Sequence, residues 1–166
     1  YLGISRCNVV LDRIDASTLD AVSKDQIIGE ASFLRAFYYF QLVRVFGDLP
    51  LVLKEVKSTD EAFSAAPRKP AADIYAQILI DAKAATQKLP EVYTAAADKG
   101  RATKGTARTL LAEVYMTQKN FTAATTELRA VVQSGKYQLN GNYADNFSIT
   151  KKNGVESIFE IQYMEG

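Results

Sequence analysis

Histidine and tryptophan are missing from this 166-residue sequence, and cysteine occurs once. The lack of histidine removes the commonest general base and the commonest zinc ligand. A lone cysteine, Cys7, can form neither an internal disulfide nor a thiolate cluster. It falls in the pattern Ile4-x-x-Cys7-x-x-x-Leu11-x-x-Ile14, a helical apolar stripe, and reads as a small core residue. Neither charge sign dominates: 20 basic side chains face 19 acidic ones, a formal net charge of +1. That balance gives no electrostatic case for nucleic acid or for an anionic membrane surface. No apolar run approaches the ~20 residues that span a bilayer. Gly100 to Gly105 has neither P-loop spacing nor a preceding strand, so no phosphate cradle is indicated. No Gly-x-Ser-x-Gly elbow occurs. The carboxylates are spread over polar faces, so no acid/base pair for glycoside hydrolysis can be nominated. These absences lead to the expectation of a protein without catalytic residues, metal or cofactor.

Apolar residues make up 48% of the chain and charged residues 23%, the balance of an ordinary globular domain with a substantial core. The stretch from Glu30 to Pro50 organises the rest. It lies in a helix expected from about Lys24 to Phe46, apolar in almost every direction. Leu34, Tyr38 and Val45 fall on one side, Phe33, Phe37 and Phe40 on another, and Leu42 and Phe46 on a third. Such a helix is expected to be buried on several faces. Gly47, Asp48 and Pro50 then stop it. Arg35 points among Ala31, Tyr39 and Leu42, where a charge needs a partner. Asp81 is the first candidate, because it borders the apolar stripe of the next helix; Glu113 is the second.

Further helices are expected at about Leu2–Asp15, Pro70–Leu89, Lys104–Lys119 and Phe121–Ser134. Ile74, Tyr75, Ile78, Ala82 and Ala85 form the stripe of the Pro70–Leu89 helix. Thr103 and Asn120 supply N-caps and Gly135 a C-terminal stop. Leu49 to Leu53 reads as a short extended segment. Lys54 to Lys69 reads as a long polar loop, with Arg68 and Lys69 most simply solvated. Tyr137 to Asn153 is mostly loop, and the alternation over Val155 to Tyr163 predicts a strand. Leu111-Ala112-x2-Tyr115 followed by Ala124-x3-Leu128 matches tetratricopeptide spacing, in which small residues let paired helices approach and larger ones fill the groove. Arg35-Ala36-x2-Tyr39 repeats the first half. The fold class is therefore mainly α: tetratricopeptide-like helical pairs, long loops and a short C-terminal strand segment. Arg35, Asp81, Tyr39 and Tyr115 take structural roles in it.

The residues Glu30-Ala-x-Phe-Leu-Arg-Ala-x-Tyr-Tyr-Phe-x-Leu-Val-Arg-x-Phe-Gly-Asp-x-Pro50 resemble the signature helix of the SusD/RagB family. Those are nutrient-binding lipoproteins exposed on Bacteroidetes outer membranes. Asp73-Ile-Tyr75 leading to Asp81, Gly100 to Ala107, Ser134 to Leu139 and Glu156 to Gln162 agree with later segments of that family, and Asn8 resembles a recurrent asparagine of its first helix. The resemblance implies a fragment of a longer protein, with residues 1–134 as helical repeats and 135–166 as loop and strand in a single helical domain. It also implies an export signal and lipid-bearing cysteine upstream, surface exposure at the outer membrane, capture of a glycan or other nutrient, and delivery to a TonB-dependent, SusC-like transporter. The competing expectation is a tetratricopeptide scaffold that binds another protein.

Nine tyrosines and eight phenylalanines are present. Phe33, Phe37, Tyr38, Tyr39, Phe40, Tyr75 and Tyr115 sit at helix-core spacing. Tyr93, Tyr137, Tyr143 and Phe147 fall in loops. Tyr137, Asn140, Asn142 and Tyr143 are accordingly the candidate ligand contacts, with Asn146 beside them, although turn formation explains the asparagines equally well.

Overall fold

The computed structural model describes residues 1–58, 60–61 and 67–162. Two compact units divide it, Tyr1–Leu89 and Pro90–Gly166.

The first unit holds α1 (Leu2–Arg13), α2 (Ala21–Phe46) and α3 (Ala71–Lys88). Asp20 starts α2: its carboxylate accepts the Ser23 backbone N–H at 3.0 Å and the Ser23 hydroxyl at 2.7 Å. Gly47 ends it at φ 64°, a conformation that favours glycine. The Ala71 N–H at the start of α3 donates to the Asp48 carboxylate at 2.8 Å, which ties the two helix ends together. Between them, β1 (Leu49–Pro50) pairs antiparallel with β2 (Arg68–Lys69) and closes the base of the intervening loop.

The core of this unit lies where α2 meets its two neighbours. Ile4 and Cys7 of α1, Phe33, Ala36, Tyr39, Phe40 and Val43 of α2, and Ile74, Ile78, Ala82 and Ala85 of α3 are buried in it. A methyl group at Gly3 would strike the Tyr38 ring, so the glycine is what lets that ring lie on α1. Burial of α2 is nevertheless less complete than its composition predicts. Leu34 and Tyr38 are more than a third exposed, and Val45 and Phe46 retain 73% and 64% of their surface. Packing against α1 and α3 leaves part of the α2 circumference uncovered.

The second unit contains a helical hairpin, α4 (Lys104–Thr117) and α5 (Phe121–Gln133). Thr103 and Thr106 cap α4 reciprocally: the Thr106 N–H donates to Thr103 Oγ1, and the Thr103 N–H to Thr106 Oγ1. The Asn120 side chain accepts the Ala123 N–H at 3.2 Å and starts α5. Ala107, Leu110, Leu111, Val114, Ala124 and Val131 form the buried seam. Leu128 does not fill the groove as the repeat spacing suggests; it is 38% exposed. Tyr115 is only half-buried. The small Ala112 and Ala124 are fully covered, and bulk from Leu111, Val114 and Val131 occupies the space beside them.

The strand predicted over Val155 to Tyr163 does not form among its described residues, which end at Gln162. The Gln138 N–H donates to the Val155 carbonyl at 2.9 Å, and the Ser157 N–H turns back to the Gly154 carbonyl at 3.0 Å. The neighbouring N–H groups of Asn140 and Asn153 go to the side chains of Glu156 and Glu160 instead. Carboxylates thus take the donors that a ladder would need.

Candidate functional site

Two sets of residues carry chemistry beyond apolar packing, one in each unit. In the first, α1, α2 and α3 bring Asn8, Arg35, Tyr39, Gln77 and Asp81 together beneath the loop that follows β1. Arg35 and Asp81 are buried, with 8% and 3% of their surfaces exposed. Arg35 Nε and Nη2 donate to the two Asp81 carboxylate oxygens, each at 2.8 Å, in the forked geometry that suits guanidinium and carboxylate. Gln77 Nε2 adds a donor to Asp81 Oδ1 at 2.9 Å. Arg35 Nη1 donates to Asn8 Oδ1 at 2.9 Å and to the Leu53 carbonyl at 3.3 Å. Asn8 Nδ2 donates to the Val52 and Lys54 carbonyls, and the Tyr39 hydroxyl donates to Val52 O and accepts from Val52 N, both at 2.8 Å. Three consecutive loop carbonyls are therefore held from below by side chains. Burial pushes the Tyr39 hydroxyl up to about 12 and the Cys7 thiol up to about 11, so both stay protonated at neutral pH. This arrangement fixes a loop.

Above the same loop, Arg13 pairs with Glu55 and Lys54 with Asp12, and the Glu55 N–H donates to Asp12. Hydrogen bonds from Arg13 hold the Glu55 carboxyl below its usual range, and Lys54 does the same for Asp12. Every one of these charges is spent on a neighbour.

In the second unit the candidate ligand contacts part company. The half-buried Tyr137 places its ring against Gly105, where a methyl group would collide with it, and its hydroxyl lies 2.9 Å from Thr103 Oγ1. With Tyr93, Arg101, Asn153 and Phe159 it lines a cleft of about 190 Å³. Ligand pockets for drug-sized molecules run to roughly 300–1,000 Å³, so this cleft is too small for an oligosaccharide. Asn142 caps a short 3₁₀ turn, Tyr143–Phe147, by accepting the Ala144 N–H at 3.1 Å. Asn140 donates its side-chain amide to Asn146 and its backbone N–H to Glu156; Asn146 donates to Glu156 at 3.0 Å. Those two donors hold the Glu156 carboxyl below its usual range. The three asparagines are turn-formers here. Tyr143 and Phe147 face solvent at 76% and 71% exposure, with ring centroids 5.3 Å apart and planes inclined at 67°, edge to face.

Among the described residues no group of three or more His, Cys, Asp or Glu is placed to hold a metal, and no helix is long and apolar enough to cross a membrane.

A SusD-like family model, described as "Starch-binding associating with outer membrane", matches residues 1–116, which include all of α1, α2 and α3 and most of α4. The chain belongs to the SusD-like family. A SusD-like protein of Formosa agariphila is 29% identical over 174 residues, covering 98% of this chain and 31% of that protein. The crystal structure of a SusD-like protein from Bacteroides fragilis superposes with a TM-score of 0.88 at 33% identity, over 98% of this chain and 32% of its own. A laminarin-binding SusD-like protein superposes at 0.89 with 30% identity, over 96% of this chain and 35% of its own. The SusD-like chain thus spans about a third of the length of the relatives it matches. Its helical architecture is that of the family. Asn8 was legible only through the family resemblance; the backbone carbonyls that it and Arg35 hold carry no sequence signal at all.

Proposed function

We propose that this chain is the helical scaffold of a surface glycan-binding protein, with residues 1–134 as its repeats, which passes its ligand to a TonB-dependent transporter of the SusC kind in the outer membrane. The observation that carries the reading is the match of residues 1–116 to the SusD-like family, joined to the likeness to a laminarin-binding member. The chemistry within the chain is consistent with a scaffold. Its buried ionic group holds a loop, the cleft beside Tyr137 is small, and its asparagines close turns. The glycan is held mainly by polypeptide outside residues 1–166, and a lipid anchor outside them attaches the protein to the membrane. The protein captures and hands over ligand; it does not cleave it.

The test uses the whole gene product and residues 1–166 in parallel. Calorimetry with laminarin, starch and other oligosaccharides is expected to show binding of at least one glycan by the whole protein, and weak or no binding by residues 1–166. The whole protein is expected to co-purify with an outer-membrane transporter and to release no reducing sugar. Glycan cleavage, or a whole protein that binds no glycan in a broad panel, would overturn the reading.

A further inference from the structure

Two Asn-Gly pairs lie in the loops of the second unit, Asn140-Gly141 and Asn153-Gly154. Asparagine is a thermolabile residue. Before glycine it is most exposed to attack by the next backbone nitrogen, because no Cβ shields that nitrogen. Neither glycine N–H has an acceptor among the described residues, so the attacking group is free in both pairs. The asparagines differ. The Asn153 carboxamide is held at both ends: Nδ2 donates to Gln162 Oε1 at 3.3 Å, and Oδ1 accepts from Gln162 Nε2 at 3.1 Å. A Cβ on Gly154 would lie 3.3 Å from the Lys151 carbonyl, so that backbone is also crowded. The Asn140 carboxamide has one tie, from Nδ2 to Asn146 Oδ1, and its Oδ1 has no donor among the described residues. Gly141 is exposed, and a Cβ built there would meet nothing within 4 Å.

We propose that Asn140 is a site of spontaneous deamidation, converted through a cyclic imide with Gly141 to a mixture of aspartate and isoaspartate. The Gly141 nitrogen bonds to Asn140 Cγ, and the Cγ–Nδ2 bond breaks. The proton from the Gly141 nitrogen leaves with the amide as ammonia. Water then adds to either imide carbonyl and reopens the ring, to aspartate on one side and to a β-linked backbone on the other. One water is consumed, one ammonia is released, and nothing is oxidised or reduced. The product undoes the tie that held its precursor. Nδ2 donates to Asn146, and an oxygen in its place would set acceptor against acceptor. The new carboxylate also joins Glu156, which already accepts the Asn140 N–H at 2.8 Å and the Asn146 amide at 3.0 Å. Two negative charges on one small network repel. Conversion therefore loosens the segment around the Tyr143–Phe147 turn, and it does so irreversibly. The inference is independent of which ligand the protein takes.

The experiment ages the folded whole protein at mildly alkaline pH and follows both pairs by peptide mapping with mass spectrometry. An isoaspartyl methyltransferase assay reads the β-linked product. Asn140 is expected to convert about fivefold faster than Asn153, the weight of one additional hydrogen bond at the slower site. In urea sufficient to unfold the chain, the two rates should converge, because only the fold separates them. Gly141→Ala should slow conversion of Asn140 by roughly tenfold or more, since a Cβ then shields the nitrogen. The same change should leave Tm nearly unaltered, because Gly141 has open space around it and is not at positive φ. Asn140→Asp, the product of one branch, should raise amide hydrogen exchange over 139–147. Equal rates at the two sites in the folded protein, or a faster Asn153, would overturn the proposal. So would conversion of Asn140 that Gly141→Ala does not slow. Unchanged exchange in Asn140→Asp would overturn the loosening.

Discussion

Arg35 is a residue whose place in the sequence dictates its need for a partner. A cation at a helical position between Ala31, Tyr39 and Leu42 must find a carboxylate, and the border of the neighbouring stripe offers Asp81. The structure joins the two through paired 2.8 Å bonds. Removing one partner of a buried pair strands the other, which costs about 3–5 kcal/mol. Arg35→Ala is therefore expected to lose most of the first unit's stability in urea titration. The double replacement Arg35→Met with Asp81→Leu should lose much less, because no lone charge remains. Gly105 gives a second residue-scale prediction. A methyl group there would collide with the Tyr137 ring, so Gly105→Ala should destabilise the second unit despite alanine's better helix propensity. Tyr137→Ala combined with it should recover part of the loss in thermal melts. The family resemblance marks that glycine, but the reason for it was not legible, because the constraint comes from a ring 32 positions away.

At the level of elements, periodicity locates the five described helices to within a few residues, and side-chain caps fix the start of three of them. Asp20, Thr103 and Asn120 each accept an N–H from the first turn of their helix. Which helix faces would be covered was less legible. Leu34 and Val45 are as apolar as their buried neighbours, and only the positions of α1 and α3 decide that they face outward. The Val155 to Tyr163 pattern fails for a related reason: alternation suits a strand, yet a strand exists only where a partner offers its backbone, and Glu156 and Glu160 intercept those donors. Charge at the helix start and the loop sets a pH dependence. Hydrogen bonds from Ser23 hold Asp20 below its ordinary 3.8, and Arg13 holds Glu55 below its ordinary 4.5. A carboxyl whose folded value is depressed stabilises above its unfolded value, and that stabilisation is lost as pH falls through the folded one. Melting temperature is thus expected to hold from neutrality down to about pH 5 and to fall below about pH 4. Asp20→Asn, which keeps a capping oxygen, should flatten part of that fall.

For the molecule as a whole, the two units are expected to respond separately to the variants above, with Arg35→Ala read in the first and Gly105→Ala in the second. Helices in each unit pack chiefly on their neighbours in sequence: α1 on α2, α2 on α3, and α4 on α5. The exception is the loop after β1, whose carbonyls are grasped by Asn8 from 44 and 46 positions away. Local pairings form early in folding, while contacts that close long stretches of chain come later. The Asn8 grip on Val52 and Lys54 is accordingly expected to form late, after the helices of the first unit have docked. Asn8→Ala leaves buried carbonyls short of donors, at a cost of about 1–3 kcal/mol. In stopped-flow refolding, that loss should appear in the unfolding limb, with the folding limb little changed. A latch of this kind governs how long the folded unit survives once formed rather than how fast it is reached.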